Sequence, residues 1–312
     1  MFSGIRISTR PDVVDSAVLE RLERYHVTAV ELGAQSMCDR VLYQNERGHD
    51  AQAVRKASAM LRERGFSLGL QQMVGLYGST LQDEYDTLEQ LLACQPETLR
   101  IYPTAVLEGT KLAAYYFRGG YPQLSQEEVL DYCADALCRC HHAGVRVIRL
   151  GLHDTPSLRE HLLAGYFHPA YGELAESRLY LRQLKAAAAD CGKTELFVET
   201  APRTMSKVLG QHGCNRKALA EQGVSLRVRE NAAVAAGMIL TEQQVYEIFR
   251  KGINDEDKTY QTLSGGGAGS SLAAGCRSWC SFLEQTPWGD FCCRGNHTGK
   301  RGGTGGLFPA ER

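Results

Sequence analysis

Val27-Thr-Ala-Val-Glu-Leu-Gly33-Ala-Gln35-Ser-Met, followed by Cys38-Asp-Arg-Val-Leu-Tyr-Gln-Asn45-Glu-Arg47-Gly48-His49, decides the fold. Its first part is β-branched and alternates small apolar with polar residues, which predicts a strand ending near Gly33. The second part places Val41 and Leu42 at helical spacing and stops at Gly48. Gln35 falls just past the C-terminal end of the strand, and ligand-contacting side chains of α/β sheets come from that edge.

Working outward, Gly4–Ser8 reads as a strand, with Asp12 capping a helix whose Val14, Val18, Leu22 and Tyr25 share a face. A helix spans 50–64, and Gly65 ends it. Ser67–Gly75 is the next strand. Ser79 or Thr80 caps a helix carrying Leu81, Tyr85, Leu88 and Leu92. Thr98–Tyr102 is a strand, Pro103–Thr110 a loop into another helix, and Ser125 with Glu128 a capping box for a helix ending near Gly144. Val145–Gly151 closes the series. Strands separated by helices at this spacing predict a mostly parallel α/β barrel, or part of one.

Alternation within the strands says more. Ile5 and Ile7 oppose Arg6, Ser8 and Arg10; Val30 and Leu32 oppose Glu31, Gly33 and Gln35; Leu68 and Leu70 oppose Gly69 and Gln71; Leu99 and Ile101 oppose Arg100 and Tyr102. Parallel strands covered on both faces normally read as continuous apolar runs. Here one parity is repeatedly polar, and it is expected to line a barrel lumen. The competing reading is a half-covered sheet whose polar face meets solvent. Buried charges at this density need partners.

Composition bounds the rest. A chain of 312 residues can bury a full core, and a formal net charge of −1 gives no overall attraction to nucleic acid or anionic membrane. No run of about 18 apolar residues predicts a membrane span. The opening Met-Phe-Ser-Gly-Ile-Arg lacks a signal-peptide core, so the eleven irregularly spaced cysteines read as reduced thiols of a cytoplasmic protein.

A set of short motifs in order carries a family resemblance: Ile7-Ser-Thr-Arg-Pro-Asp12, Glu31-Leu-Gly-Ala-Gln-Ser36, Arg47-Gly-His49, Gly65-Phe66, Gly75-Leu76, Arg100-Ile-Tyr-Pro-Thr104 and Glu108-Gly-Thr110, then Ile148-Arg-Leu-Gly-Leu152 and Ala164-Gly-Tyr-Phe-His-Pro169. Over roughly residues 3–180 the chain resembles radical S-adenosylmethionine (radical SAM) enzymes. The branch is that of the Elongator catalytic subunit and, more distantly, of coproporphyrinogen III oxidase. The resemblance implies a partial (βα) barrel, a [4Fe–4S] cluster on a Cys-x3-Cys-x2-Cys loop, and S-adenosylmethionine as cofactor. That cysteine motif is absent from the chain: Cys276 and Cys280 have the first spacing, but Leu283 stands at the third place. The alignment of motifs also implies a barrel lacking its first two strands, with an unpaired edge at the Ile5/Ile7 strand.

Carried over by resemblance, Ser8, Gln35, Arg47, Gln71 and Tyr102 are the candidate cofactor-binding residues. Gln35 would lie near the adenosine part and Arg47 near the cofactor carboxylate, which suits an always-charged, bidentate guanidinium. Gln72 replaces Gln71 if the strand slips by one residue. Tyr102 and Thr104 would lie near the substrate. No catalytic residue is assigned, and no metal ligand is expected. Plainer readings stand beside these: Gln35 as a helix cap, Arg47 as a surface arginine, and Arg6 and Arg100 as ion partners of Glu31. His141 and His142 near Cys133, Cys138 and Cys140 invite a metal reading, but Cys133, Leu137 and Cys140 share a helical face like small core residues.

Residues 1–170 are thus expected to form the barrel part and 171–262 a small C-terminal α/β appendage. The appendage carries a helix over 171–191, strands Glu195–Glu199 and Val224–Arg229, and a final helix capped by Thr241 with Gln244. Its arginines and lysines could serve RNA, or simply a solvated surface. Residues 263–312, rich in Gly and Cys, are expected to build no core. The expected function is radical chemistry with S-adenosylmethionine and a [4Fe–4S] cluster in the full-length family, with tRNA or another nucleotide as candidate substrate. The alternative is a non-catalytic truncated barrel that binds a small ligand or a partner.

Overall fold

A computed structural model describes residues 4–242 and 244–249. The chain runs through β1 (Ile5–Thr9), α1 (Ser16–Arg24), β2 (Val27–Gln35), α2 (Asp39–Gln44), α3 (Ala51–Glu63), β3 (Ser67–Val74), α4 (Leu81–Ala93) and β4 (Thr98–Pro103). It continues through β5 (Ala105–Leu107), α5 (Lys111–Phe117), α6 (Gln126–His142), β6 (Arg146–Leu150), α7 (Pro156–His161), β7 (Leu162–Gly165) and α8 (Tyr171–Cys191). Then follow β8 (Glu195–Thr200), α9 (Met205–Leu209), α10 (Cys214–Ala220), β9 (Ser225–Glu230), β10 (Met238–Leu240) and β11 (Val245–Glu247).

The main sheet has the order β1-β2-β3-β4-β6, all parallel. Neighbouring strands are joined through helices because a parallel pair requires a crossover. This is the partial-barrel α/β architecture expected from the alternation. The apolar parity is buried: Val30, Leu32, Leu68, Leu70, Leu99 and Ile101 are all 1% exposed or less. Against them pack Val54, Ala57 and Leu61 of α3, Leu88 and Leu91 of α4, and Val129, Cys133 and Cys140 of α6. Cys133 and Cys140 are core residues, and burial pushes the Cys140 thiol up to about 12.

Helix starts follow local chemistry. Asp50 accepts from Ala53 N, while Thr80–Asp83 and Ser125–Glu128 form reciprocal capping boxes. Between Ser79 and Thr80, the cap is Thr80. Asp12 does not cap α1. It lies in a single tight turn over Pro11–Val13, and Asp15 accepts from Val18 N instead. Pro11 favours that turn because its fixed φ suits a first helical position. Tyr25 accordingly points to solvent at 65% exposure, and Leu19 takes the buried place.

Two further differences are non-local. The segment read as a loop over 103–110 contains β5, which pairs antiparallel with the distant β7 (Ala105 with Gly165, Val106 with Ala164). The final helix expected after Thr241 is a strand. β11 pairs antiparallel with β10, and Thr241 and Gln244 close the turn through Thr241 N to Gln244 O at 2.9 Å and Gln244 N to Thr241 Oγ1 at 3.1 Å. A Thr with Gln three residues on satisfies a turn as well as a cap, and Val245-Tyr246 then favours the strand.

The second sheet has the order β11-β10-β8-β9. A second cluster of buried residues includes Leu184, Leu196, Val198, Leu219, Leu226 and Ile239. Helix α8 belongs to both packing units: Tyr171, Leu174 and Ala175 join the first cluster, Leu179, Tyr180 and Leu184 the second. Residues 263–312, expected to build no core, lie outside the described residues. Among the described residues no helix is long and apolar enough to cross a membrane.

Candidate functional site

The polar parity of the main sheet converges on Glu31, which is fully buried. Sheet register explains the convergence. Ser8 pairs with Glu31, Glu31 with Gly69, and Gly69 with Thr98; in the adjacent row Gln71 pairs with Arg100, and Arg100 with Arg149. Paired residues of parallel strands share a face, so these side chains crowd one surface.

Glu31 Oε1 accepts from Ser8 Oγ at 3.3 Å and from Gln71 Nε2. Glu31 Oε2 lies 2.9 Å from Arg100 Nε and 3.9 Å from Arg6 Nη1. The first is an ion contact without hydrogen-bond alignment, since both atoms are buried and lack a directed partner. Arg100 Nη1 donates to Tyr102 Oη at 3.2 Å, and Arg6 Nη1 donates to Thr98 Oγ1 at 3.2 Å. Gly69 makes this possible: a Cβ there would lie 2.9 Å from Thr98 Oγ1, 3.2 Å from Arg6 Nη1 and 3.3 Å from Glu31 Cγ. A buried carboxylate is tolerable here because two guanidinium groups and two neutral donors surround it. The arginine side chains remain about one-third exposed, at 34% and 31%. The polar face is thus neither a sealed lumen nor a bare surface: its centre is dry and its rim is wet.

Gln35 ends β2 in the left-handed region, with φ of 67°. The pairing of β2 with β3 shifts between Leu32 and Gln35, and the distortion folds the Gln35 amide back over Gly33, 2.7 Å from where a Cβ on that glycine would sit. A non-glycine residue held there costs about 1 kcal/mol or more, and such strain concentrates at functional sites. Gln35 is not a helix cap: α2 begins after Cys38, with no side-chain cap.

Arg47 follows α2 at the same end of β2. Its Nε is buried without a hydrogen-bond partner. Burial lowers its pKa from the ordinary arginine value, and the nearby charge of Arg10 adds to this. Beside it, His49 Nε2 contacts Ala34 O at 3.1 Å, which assigns the proton to Nε2, and leaves Nδ1 buried and without a partner. Arg10, expected in the lumen, turns instead to the rim, where it donates to both carboxylate oxygens of Asp12, at 2.9 and 2.6 Å, and to Gly48 O at 3.4 Å.

The structure therefore brings Ser8, Gln71 and Tyr102 together through Glu31 and Arg100, and sets Gln35 and Arg47 at the strand end above them. Gln71 is the residue on this face. Gln72 points the other way, bonded to Glu84 and accepting from Tyr132 Oη at 2.9 Å. Thr104 is buried at the end of β4, with an unpartnered hydroxyl.

Sequence reasoning missed three participants. Arg149 completes the second row, and His49 shares the Arg47 corner. Glu84 anchors the loop after β3. The i, i+3 step from Leu81 to Glu84, on the face of Tyr85 and Leu88, was the available signal for burial.

The donor set fits one of the two groups the resemblance implies. A buried arginine nitrogen and a buried imidazole nitrogen without partners, at the end of the strand where Gln35 takes a left-handed backbone, suit a zwitterionic amino acid joined to a nucleoside. The described cysteines do not gather for the cluster. Cys38, Cys94, Cys133, Cys138, Cys140, Cys191 and Cys214 are free, and among the described residues no three His, Cys, Asp or Glu side chains gather to hold a metal.

Comparison with known proteins bears on this geometry. Residues 3–91 match the model of the Radical SAM superfamily, and residues 96–181 that of the Radical_SAM C-terminal domain. An uncharacterized protein of Methanocaldococcus jannaschii is 31% identical over 138 residues, 43% of this chain and 43% of that protein. The tRNA uridine(34) acetyltransferase of Dehalococcoides mccartyi is 36% identical over 136 residues, 42% of this chain and 29% of that protein. A solved structure of archaeal Elp3 from Methanocaldococcus infernus, with an N-terminal deletion, overlays with a TM-score of 0.54 at 26% identity, covering 58% of this chain and 42% of that one. The matched segment spans less than half the length of each of these three relatives. Two adjoining family matches run from β1 into α8, and the parallel sheet with its polar face lies wholly inside them; the chain belongs to the radical SAM superfamily.

Proposed function

We propose that the polar face of the main sheet is the wall on which an Elongator-like radical SAM protein receives S-adenosylmethionine, in the service of modifying a nucleotide of the tRNA class. Arg47 would hold the cofactor carboxylate, and its partnerless buried Nε is the observation that carries the reading. Gln35 would meet the adenosine part. Ser8, Gln71 and Tyr102 sit around Glu31, which fixes Gln71 and Arg100 in place. In this family S-adenosylmethionine and a [4Fe–4S] cluster supply one-electron chemistry for hydrogen abstraction. The described cysteines are not gathered to hold that cluster. The tRNA class of substrate is taken from the Dehalococcoides relative's own name, and a cytoplasmic site accords with it.

We further place the barrel part at 1–170 and the C-terminal appendage at 171–262. The two buried clusters support this division, with α8 as the shared helix.

That the sequence holds no Cys-x3-Cys-x2-Cys run favours a second reading, in which the same wall binds a small ligand without radical chemistry. Two measurements on the full chain separate the readings. S-adenosylhomocysteine is expected to bind wild type, with Arg47→Ala weakening it about tenfold or more. No binding, or equal binding by Arg47→Ala, refutes the cofactor wall. Anaerobic reconstitution yielding four iron and four sulfide per chain would favour the enzyme; iron-free protein that still binds the nucleoside would favour the binding module.

A further inference from the structure

The cofactor reading leaves part of the polar face unused. Arg6, Arg100 and Arg149 stand on β1, β4 and β6, and Arg100 and Arg149 are register neighbours. Against these cations the face places two carboxylates: Glu31, and at its lower edge Glu97, which accepts from Ser67 Oγ at 2.8 Å. Arg146, in register with Thr98 on the same face, adds another cation at the edge. The face is therefore electropositive although the chain as a whole carries a formal charge of −1.

The guanidinium groups are fixed but not used up. Arg149 donates from Nε to Gly151 O and from Nη2 to Leu152 O, both at 3.0 Å, which leaves Nη1 outside these bonds. Arg6 spends Nη1 on Thr98, and Arg100 spends Nη1 on Tyr102 while Nε faces Glu31. Nη2 of Arg6 and Nη2 of Arg100 take part in none of these contacts. Partly exposed, planar donors held by neighbours lose little freedom on binding an oxyanion, and several guanidinium groups on one face match the spread charge of a phosphate.

We propose that this arginine row binds a phosphate group of the substrate, so that the ligand modified at the wall is a nucleotide and not a free nucleoside. This rests on the reading of that face as the ligand wall and adds the part of the substrate it recognises. Glu31 acts as a positioning residue: it holds Arg6 and Arg100 toward the face and limits the excess charge.

The test measures binding of uridine monophosphate, uridine and inorganic phosphate to the full chain at low salt, with S-adenosylhomocysteine binding followed in parallel. The monophosphate is expected to bind about tenfold or more tighter than uridine. Arg100→Gln and Arg149→Gln should each erase most of that preference, and rising salt should weaken the monophosphate more than uridine. Equal binding of the two uridine ligands, or a preference surviving both substitutions, overturns the proposal; so does the absence of any binding. Inorganic phosphate binding as tightly as the monophosphate overturns the assignment to a nucleotide. If Arg100→Gln fails to fold, Arg149→Gln and the wild-type salt dependence still decide. Lost phosphate preference with S-adenosylhomocysteine bound refutes this inference alone. Phosphate preference without S-adenosylhomocysteine binding refutes the cofactor reading alone.

Discussion

Replacing Glu84 by Gln tests how the loop at the end of β3 is held. Glu84 lies on the first turn of α4 and is buried. Its Oε1 accepts from Ser79 Oγ at 2.6 Å and from Gly75 N at 2.8 Å, and its Oε2 accepts from Gln72 Nε2 at 3.2 Å. The carboxyl thus ties both ends of the Gly75–Ser79 turn to the helix. Burial pushes its pKa from 4.5 up to about 7, against the opposing pull of the hydrogen bonds from Ser79, Gly75 and Gln72. Below about pH 4.5 the group is neutral in both folded and unfolded chains, and stability carries no penalty. As pH rises toward 7 the folded chain keeps a proton that the unfolded chain has released, so stability falls. At about 1.4 kcal/mol per pH unit, the loss saturates above pH 7 at about 3 kcal/mol. Gln at this position cannot ionise. Urea unfolding of wild type and Glu84→Gln at pH 5.5 and 8.5 should show the stability difference moving about 2 kcal/mol in favour of the variant at the higher pH. Titrating groups that do not interact with Glu84 cancel in that difference. A difference that does not change with pH would refute the claim that Glu84 is held against its own ionisation.

Two substitutions probe the polar face itself. Glu31→Gln leaves Arg6 and Arg100 without their carboxylate. Because both are about one-third exposed, the expected cost is about 1–2 kcal/mol and not the 3–5 kcal/mol of a fully buried broken pair, read as a lowered urea midpoint; no loss would mean the cluster is not an ion pair in solution. Gly69→Ala puts a methyl 2.9 Å from Thr98 Oγ1 and 3.2 Å from Arg6 Nη1, so it should displace Arg6 and cost about 1–3 kcal/mol, whereas a neutral result would show that Arg6 does not lie across β3.

The strands of the main sheet were legible because alternation has a period of two and four of its five strands repeat it, the bulge in β6 breaking it. That periodicity also predicted which residues would share the polar face, Ser8, Glu31, Gln71, Arg100 and Tyr102 among them. It could not resolve Gln71 from Gln72, since two adjacent glutamines break the alternation and only hydrogen bonding to Glu84 and Tyr132 fixes the parity. Nor could it foresee the backbone distortion that carries Gln35 back over Gly33. β5 and β7 were invisible because each is a few residues long and stabilised by a distant partner. The β10–β11 hairpin was misread because the Gln244 N to Thr241 Oγ1 bond of this turn is the one a helix start also makes. The buried Nε of Arg47 has no sequence signature, as an arginine beside a glutamate is ordinarily a surface residue. The missing cysteine motif, by contrast, was plain in the sequence itself.

The surface proposed to meet an adenosyl ligand is the polar face of the main sheet. Photo-crosslinking of the full chain with radiolabelled 8-azido-S-adenosylmethionine, followed by peptide mapping, tests this directly. Label is expected on peptides carrying residues 28–49, 67–75 or 98–104, suppressed by unlabelled S-adenosylhomocysteine and reduced by Arg47→Ala. Competable label confined to the helix side of the sheet, or to peptides of the second sheet over 195–247, would contradict it.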